Sequence, residues 1–160
     1  MTPPARVFLD SNVLVYAYSV TDSPRRERAR GLADLPGAVI STQVLSEFAN
    51  VLVRRFAMAD NEARNRVAEV ATRCHVIAVT PAIVLDAFRI RARYRLGFYD
   101  SQIVAAALAA TASVLYSEDM HDGLLVDGLL RIVSPFHPRA EQRHKAYRVR
   151  LRRPRPDRGH

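Results

Sequence analysis

The sequence predicts a single α/β domain with a mostly parallel sheet, and three observations carry that expectation. Short β-branched runs alternate with longer segments whose apolar residues recur at three- and four-residue spacing. One of those segments, residues 101 to about 111, is apolar almost all round and so belongs in the interior. Finally, 160 residues with 49% hydrophobic content suffice for one core, while a single cysteine, Cys74, excludes a disulfide scaffold and fits a reducing cytoplasm.

Residues 6–9 read as the first strand. A helical segment follows from 12 to about 18, then a charged helix from 24 to about 35, closed by the turn pair Pro36-Gly37. Residues 38–41 form the second strand. The next helix, 42 to about 56, sets Val44, Leu45, Phe48, Val51 and Leu52 on one stripe. Asn61 is the expected cap of a helix reaching about Arg73. Residues 75–79 read as the third strand. Thr80-Pro81 then supplies an N-cap and a first-turn proline, and Gly97 the stop of that helix near Leu96. Asp100 opens the apolar helix, 113–116 is the fourth strand and 130–133 the fifth, before Pro135 and Pro138 break the pattern. The expected organisation is one domain over 1–138, with four to five strands flanked by helices, and a disordered tail over 139–160. No apolar run reaches membrane-spanning length, and the first residues lack the pattern of a signal peptide.

The net charge of +8 is unevenly placed. Residues 139–160 hold eight Arg and one Lys against two acids, a net +7, whereas the other 138 residues hold 15 basic and 14 acidic groups, a net +1. Such a tail suits weak, salt-sensitive phosphate contacts. The basic helix at 24–35 reads as a solvated face that could also touch a partner.

In open parallel sheets, ligands bind beyond the carboxyl ends of the strands. Asp10 directly follows the first strand, Glu47 lies in the second turn of the helix after the second, and Asp119 lies just past the fourth. Asp100 opens a helix whose burial makes it central, which brings its N-terminus near the same edge. Taken singly, each acid has an ordinary explanation. Asp10 and Asp100 suit N-caps, Asp119, Glu118 and Asp122 suit a solvated loop, and Glu47 suits the border of an apolar stripe. Four acids at one edge, however, repel one another unless they are protonated or hold a cation. Hard divalent ions suit carboxylate oxygens, and no Cys/His cluster suggests zinc. Two such ions at about 3.5–4 Å would clamp the attacking and leaving oxygens of a phosphodiester. Serine and cysteine nucleophile schemes lack support, because Cys74 is not at a strand edge and there is no Gly-x-Ser-x-Gly elbow. His121 and His137 read as loop residues.

The segments FLDSNVLVYAY, LSEFANVL, FYDSQIVAAAL and LYSEDM, in that order, resemble the PIN-domain ribonucleases, and within them the VapC-type toxins of bacterial toxin–antitoxin pairs. The resemblance spans about Arg6 to Phe136 and implies a three-layer sandwich around a mostly parallel sheet. It implies that Asp10, Glu47, Asp100 and Asp119 are the catalytic acids and hold one or two Mg²⁺ or Mn²⁺ ions. Asn12 matches the polar residue two positions after the first aspartate. Ser117 matches the hydroxyl two positions before the last acid, and Asp122 stands as an accessory in the crowded set Glu118, Asp119 and Asp122. The implied reaction is in-line hydrolysis of RNA by an activated water, leaving 5′-phosphate and 3′-hydroxyl ends. The implied partners are an RNA substrate, a second copy in a homodimer, and a small antitoxin covering the groove near the helices after the first strand. No membrane is involved and the expected location is the cytoplasm. Two alternatives stay open within the resemblance: a catalytically silent PIN domain that binds RNA or protein, and a non-toxin housekeeping nuclease. An aspartate-nucleophile phosphatase is disfavoured, because it wants a second aspartate where Asn12 stands.

Overall fold

The computed structural model describes residues 4–20 and 23–137, so the expected basic tail lies outside the described residues. The chain runs β1 (Val7–Leu9), α1 (Ser11–Ala17), α2 (Pro24–Ala33), β2 (Ala38–Ser41), α3 (Thr42–Arg54), α4 (Asp60–Arg73), β3 (His75–Ile77), α5 (Pro81–Tyr94), α6 (Phe98–Ala109), β4 (Val114–Tyr116), β5 (Leu125–Val126) and β6 (Leu130–Val133). Every residue of β1, β2 and β4 is buried. A strand buried at successive positions is covered on both faces, which is the layered arrangement that a parallel sheet requires.

The strand order is β3-β2-β1-β4-β6-β5. All neighbouring pairs are parallel except β5 with β6. The sheet therefore has six strands, not four to five. The extra strand, β5, has two residues, too few to show any periodicity in sequence. It is made by a tight hairpin whose central residues, Asp127 and Gly128, both have positive φ (50° and 70°), as a type I′ turn requires. The core between sheet and helices is built on fully buried Phe8, Leu9, Leu14, Phe48, Leu115 and Ile132. Helix α6 is buried from Ser101 through Ala107, as its uniformly apolar sequence predicts.

Local chemistry sets most element starts. The Ser23, Ser41 and Thr80 hydroxyls accept from the third backbone N–H beyond each, capping α2, α3 and α5, with proline in the first turn of α2 and α5. Three expected boundaries differ. Helix α4 starts at Asp60 after Ala59, and Asn61 accepts only from the adjacent Glu62 N–H. Helix α5 stops at Arg95, which takes the left-handed conformation (φ 56°) expected of Gly97. Gly97 instead precedes α6, so Asp100 sits within the first turn of that helix and does not cap it. Gly37 is required for space: a Cβ there would run into the Ala5 carbonyl oxygen, where the turn into β2 crosses the chain entering β1.

The arginines of α2 are not simply solvated. Arg25 donates to Glu118 Oε1 (2.7 Å) and to the Tyr16 hydroxyl, Arg28 Nε to the Pro135 carbonyl, and Arg30 Nε to the Ala17 carbonyl. They pin α2 to α1 and to the segment leaving β6. Among the described residues, no helix is long and apolar enough to cross a membrane.

Candidate active site

The register of β1 against β4 pairs Leu9 with Tyr116, so the residues that follow, Asp10 and Ser117, emerge side by side. The Ser117 hydroxyl donates to Asp10 Oδ2 at 2.7 Å, and both side chains are buried. The site lies between β1 and β4, where the sheet runs out to β2 and β3 on one side and to β4 and β6 on the other, the switch point at which open α/β sheets bind ligands. Asp10 also caps α1, accepting from Ser11 N–H at 2.7 Å. Asp10 is therefore a helix cap, and it also faces Ser117 at the end of β4.

Glu47 is carried in by α3 and is half-buried. Its Oε2 accepts from the Ser11 hydroxyl (2.9 Å), which also lies 3.4 Å from Asp10 Oδ1. Its Oε1 accepts from Gln43 Nε2 (2.9 Å). Gln43 in turn donates to the Tyr99 carbonyl (3.2 Å) and accepts from Gln102 Nε2 (2.6 Å). A glutamine pair thus ties Glu47 to the first turns of α6. Asp119, exposed beyond β4, accepts from Asn12 Nδ2 at 3.1 Å. The same amide reaches Asp10 Oδ2 at 3.3 Å, and Asn12 Oδ1 accepts from Glu118 N–H.

The electrostatics show how near the acids are to one another. Burial raises the Asp10 carboxyl from 3.8 to about 6; the Ser117 and Ser11 hydrogen bonds pull it down, and the charges of Glu47 and Asp100 push it up. Half-buried Asp100 is raised by desolvation and then by the charges of Asp119 and Glu47. The structure therefore brings Asp10, Glu47, Asp100, Asp119, Asn12 and Ser117 together. Asp122 does not join them: its carboxylate accepts from Ser134 N–H (2.9 Å), because the loop after β4 folds back along the end of β6. Glu118 pairs with Arg25, which leaves Asp119 as the acid of that loop coupled to the cluster.

Two contrasts bear on what the cluster can hold. Elsewhere Asp34, Glu69, Asp86, Glu118 and Asp127 all pair with arginine. Among the described residues, the hydrogen-bond partners of Asp10, Glu47 and Asp119 are all neutral. In a chain with 23 arginines, uncompensated acids at a strand edge are a donor set suited to an external hard cation. As placed, no three His, Cys, Asp or Glu side chains among the described residues stand close enough to share one ion. The Ser11 hydroxyl stands between Asp10 and Glu47, and the Asn12 amide between Asp10 and Asp119. The fit is one of chemistry, an all-oxygen acidic set whose neutral bridging donors would yield to a cation.

Ser11, Gln43 and Gln102 were not foreseen from sequence. Gln102 carried a signal, as a polar residue within the apolar run after Asp100. Ser11 and Gln43 looked like ordinary first-turn helix residues. A cleft of about 510 Å³ opens beside the acids, lined by Asn12, Tyr16, Arg55, Phe56, Glu118 and Asp119 among others.

The PIN domain pattern matches residues 7–121. Among curated proteins, no relative matches the chain. Solved structures with a similar fold include a toxin–antitoxin complex from Klebsiella pneumoniae (TM-score 0.61, 20% identity, 82% of this chain and 98% of that one). A second is VapC20 of Mycobacterium tuberculosis, described as a sarcin-ricin loop cleaving toxin (TM-score 0.56, 22% identity, 68% and 86%). A third is VapBC2 of Rickettsia felis bound to a promoter DNA fragment (TM-score 0.54, 19% identity, 71% and 87%).

Proposed function

The chain belongs to the PIN domain family, and from that premise we propose that it is a metal-dependent endoribonuclease, the toxin of a toxin–antitoxin pair. The observation that carries the reading is the cluster at the carboxyl ends of β1 and β4. There, buried Asp10 stands amid the charges of Glu47 and Asp100, with no basic side chain among its hydrogen-bond partners. Asp10, Glu47, Asp100 and Asp119 would hold Mg²⁺ or Mn²⁺. Bound there, the cation would acidify a water and neutralise charge developing on the phosphoryl oxygens.

The chain's own residues prepare the site. Ser117 and the Ser11 N–H fix both oxygens of Asp10, and Ser11 with Gln43 fixes both oxygens of Glu47. Asn12 holds Asp119 toward Asp10 at the mouth of the cleft. The partners we propose are an RNA substrate and an antitoxin protein, in keeping with the similar structures that are toxin–antitoxin complexes.

The test is cleavage of RNA by the purified chain with Mg²⁺ or Mn²⁺, and its loss with a chelator. Asp10→Asn and Asp100→Asn should each lower the rate at least a hundredfold while keeping the far-UV circular dichroism of the wild type. Undiminished cleavage by either folded variant, or cleavage insensitive to chelation, would sink the assignment.

A further inference from the structure

Resting on the nuclease reading, we propose that Arg55 and Phe56 form a nucleotide subsite that seats single-stranded RNA next to the reacting phosphodiester. The Phe56 ring stacks on a base and the Arg55 guanidinium meets a backbone phosphate. Both residues line the cleft that also holds Asn12 and Asp119, so a strand whose phosphate lies at the acids continues directly into it. At about 510 Å³ the cleft falls within the range of sites that hold small organic ligands.

Phe56 is 40% exposed, whereas Phe8 and Phe48 are fully buried. Its outward placement is built into the backbone. Helix α3 ends with Phe56 N–H on the Val51 carbonyl and Met58 N–H on the Leu52 carbonyl, and Ala57 between them takes φ 49°. A left-handed alanine is uncommon and persists only where its surroundings hold it. The Arg55 guanidinium carbon lies 6.0 Å from the Phe56 ring centroid, and among the described residues Arg55 has no carboxylate partner. The nearby acids are otherwise engaged, Glu118 by Arg25 and Asp119 by Asn12. An aromatic ring beside a guanidinium that has no carboxylate partner among the described residues is the sequence-tolerant combination that holds single-stranded nucleic acid, the ring by stacking on its free face and the cation by charge. A protein segment in the same cleft is the competing occupant, and it would not carry a phosphate to the acids.

The chain has no tryptophan, so Phe56→Trp installs a single reporter ring. In chelator, a single-stranded RNA oligonucleotide should quench its emission saturably. In cleavage assays Phe56→Ala should raise KM about tenfold with kcat within about twofold, and Phe56→Trp should restore KM. Arg55→Gln should reduce the slope of log affinity against log salt by about one. Unchanged KM in Phe56→Ala with cleavage intact overturns the subsite and leaves the nuclease reading standing. Quenching by RNA without any cleavage by the wild type does the reverse. Absence of quenching by RNA, including the case where only a peptide quenches, also overturns the subsite.

Discussion

Asp10 caps α1 and stands inside the acid cluster at the same time, and the two roles pull its chemistry in opposite directions. The cap and the Ser117 hydroxyl favour the carboxylate, while burial and the neighbouring acids favour the neutral acid; burial wins, with the carboxyl near 6. Between 3.8 and about 6 the folded state thus binds more protons than the unfolded state at this residue. Stability falls as pH rises through that window, and the deficit is complete above it. A shift of about two units corresponds to about 3 kcal/mol. Asp10→Asn retains a capping side chain and carries no charge. In chelator at pH 8 it should melt several degrees above the wild type, with the gap closing toward pH 4. A gap that does not vary with pH would show that the burial of Asp10 is not what destabilises the folded state. The identity and position of Asp10 were legible in the sequence, but its protonation was not, because burial depends on the register of β1 against β4.

At the scale of elements, α3 and α6 are locked across the site by Gln43 and Gln102, and the lock ends on Glu47. Groups that orient metal ligands typically control affinity ten- to a hundredfold. Gln102→Leu should therefore weaken Mn²⁺ binding, read by titration calorimetry, by about tenfold, and Gln102→Glu should not reproduce wild-type affinity. A second lock serves stability alone. The Tyr94 hydroxyl donates to Asp127 Oδ1 (2.9 Å) and accepts from Asp127 N–H (2.8 Å), holding the β5–β6 hairpin to α5, with Arg89 on the same carboxylate. Tyr94→Phe leaves that N–H without its partner and should cost about 1–2 kcal/mol in denaturant unfolding, with RNA cleavage unchanged. Strands, helices and most caps were legible because hydrophobic period and Ser/Thr-Pro signals are local. Strand β5, the end of α5 at Arg95 and the start of α6 after Gly97 were not, because turn geometry and long-range pairing decided them.

Over the whole chain, most of the charge that first suggests nucleic acid lies beyond the residues that the PIN domain pattern matches. Residues 1–138 carry a net +1 and residues 139–160 a net +7. Deleting 139–160 should flatten the salt dependence of RNA binding while leaving the dependence of cleavage on metal concentration unaltered. An unchanged salt slope would remove the tail from the binding account. The sequence by itself determined the α/β class, the alternation of strands and helices, and the candidates Asp10, Glu47 and Asp100 with the flanking Asn12 and Ser117. All of these are written in local pattern and order along the chain. Only the tertiary structure decided which of the crowded acids after β4 joins the others, sending Glu118 to Arg25 and Asp122 to Ser134 and leaving Asp119 with Asn12. It alone placed Ser11, Gln43 and Gln102 around Glu47 and opened the cleft to Arg55 and Phe56. The physical reason is that partners such as Ser11 and Glu47, 36 residues apart, or Asp10 and Ser117, 107 apart, meet only once parallel register and helix packing have fixed where each strand end points.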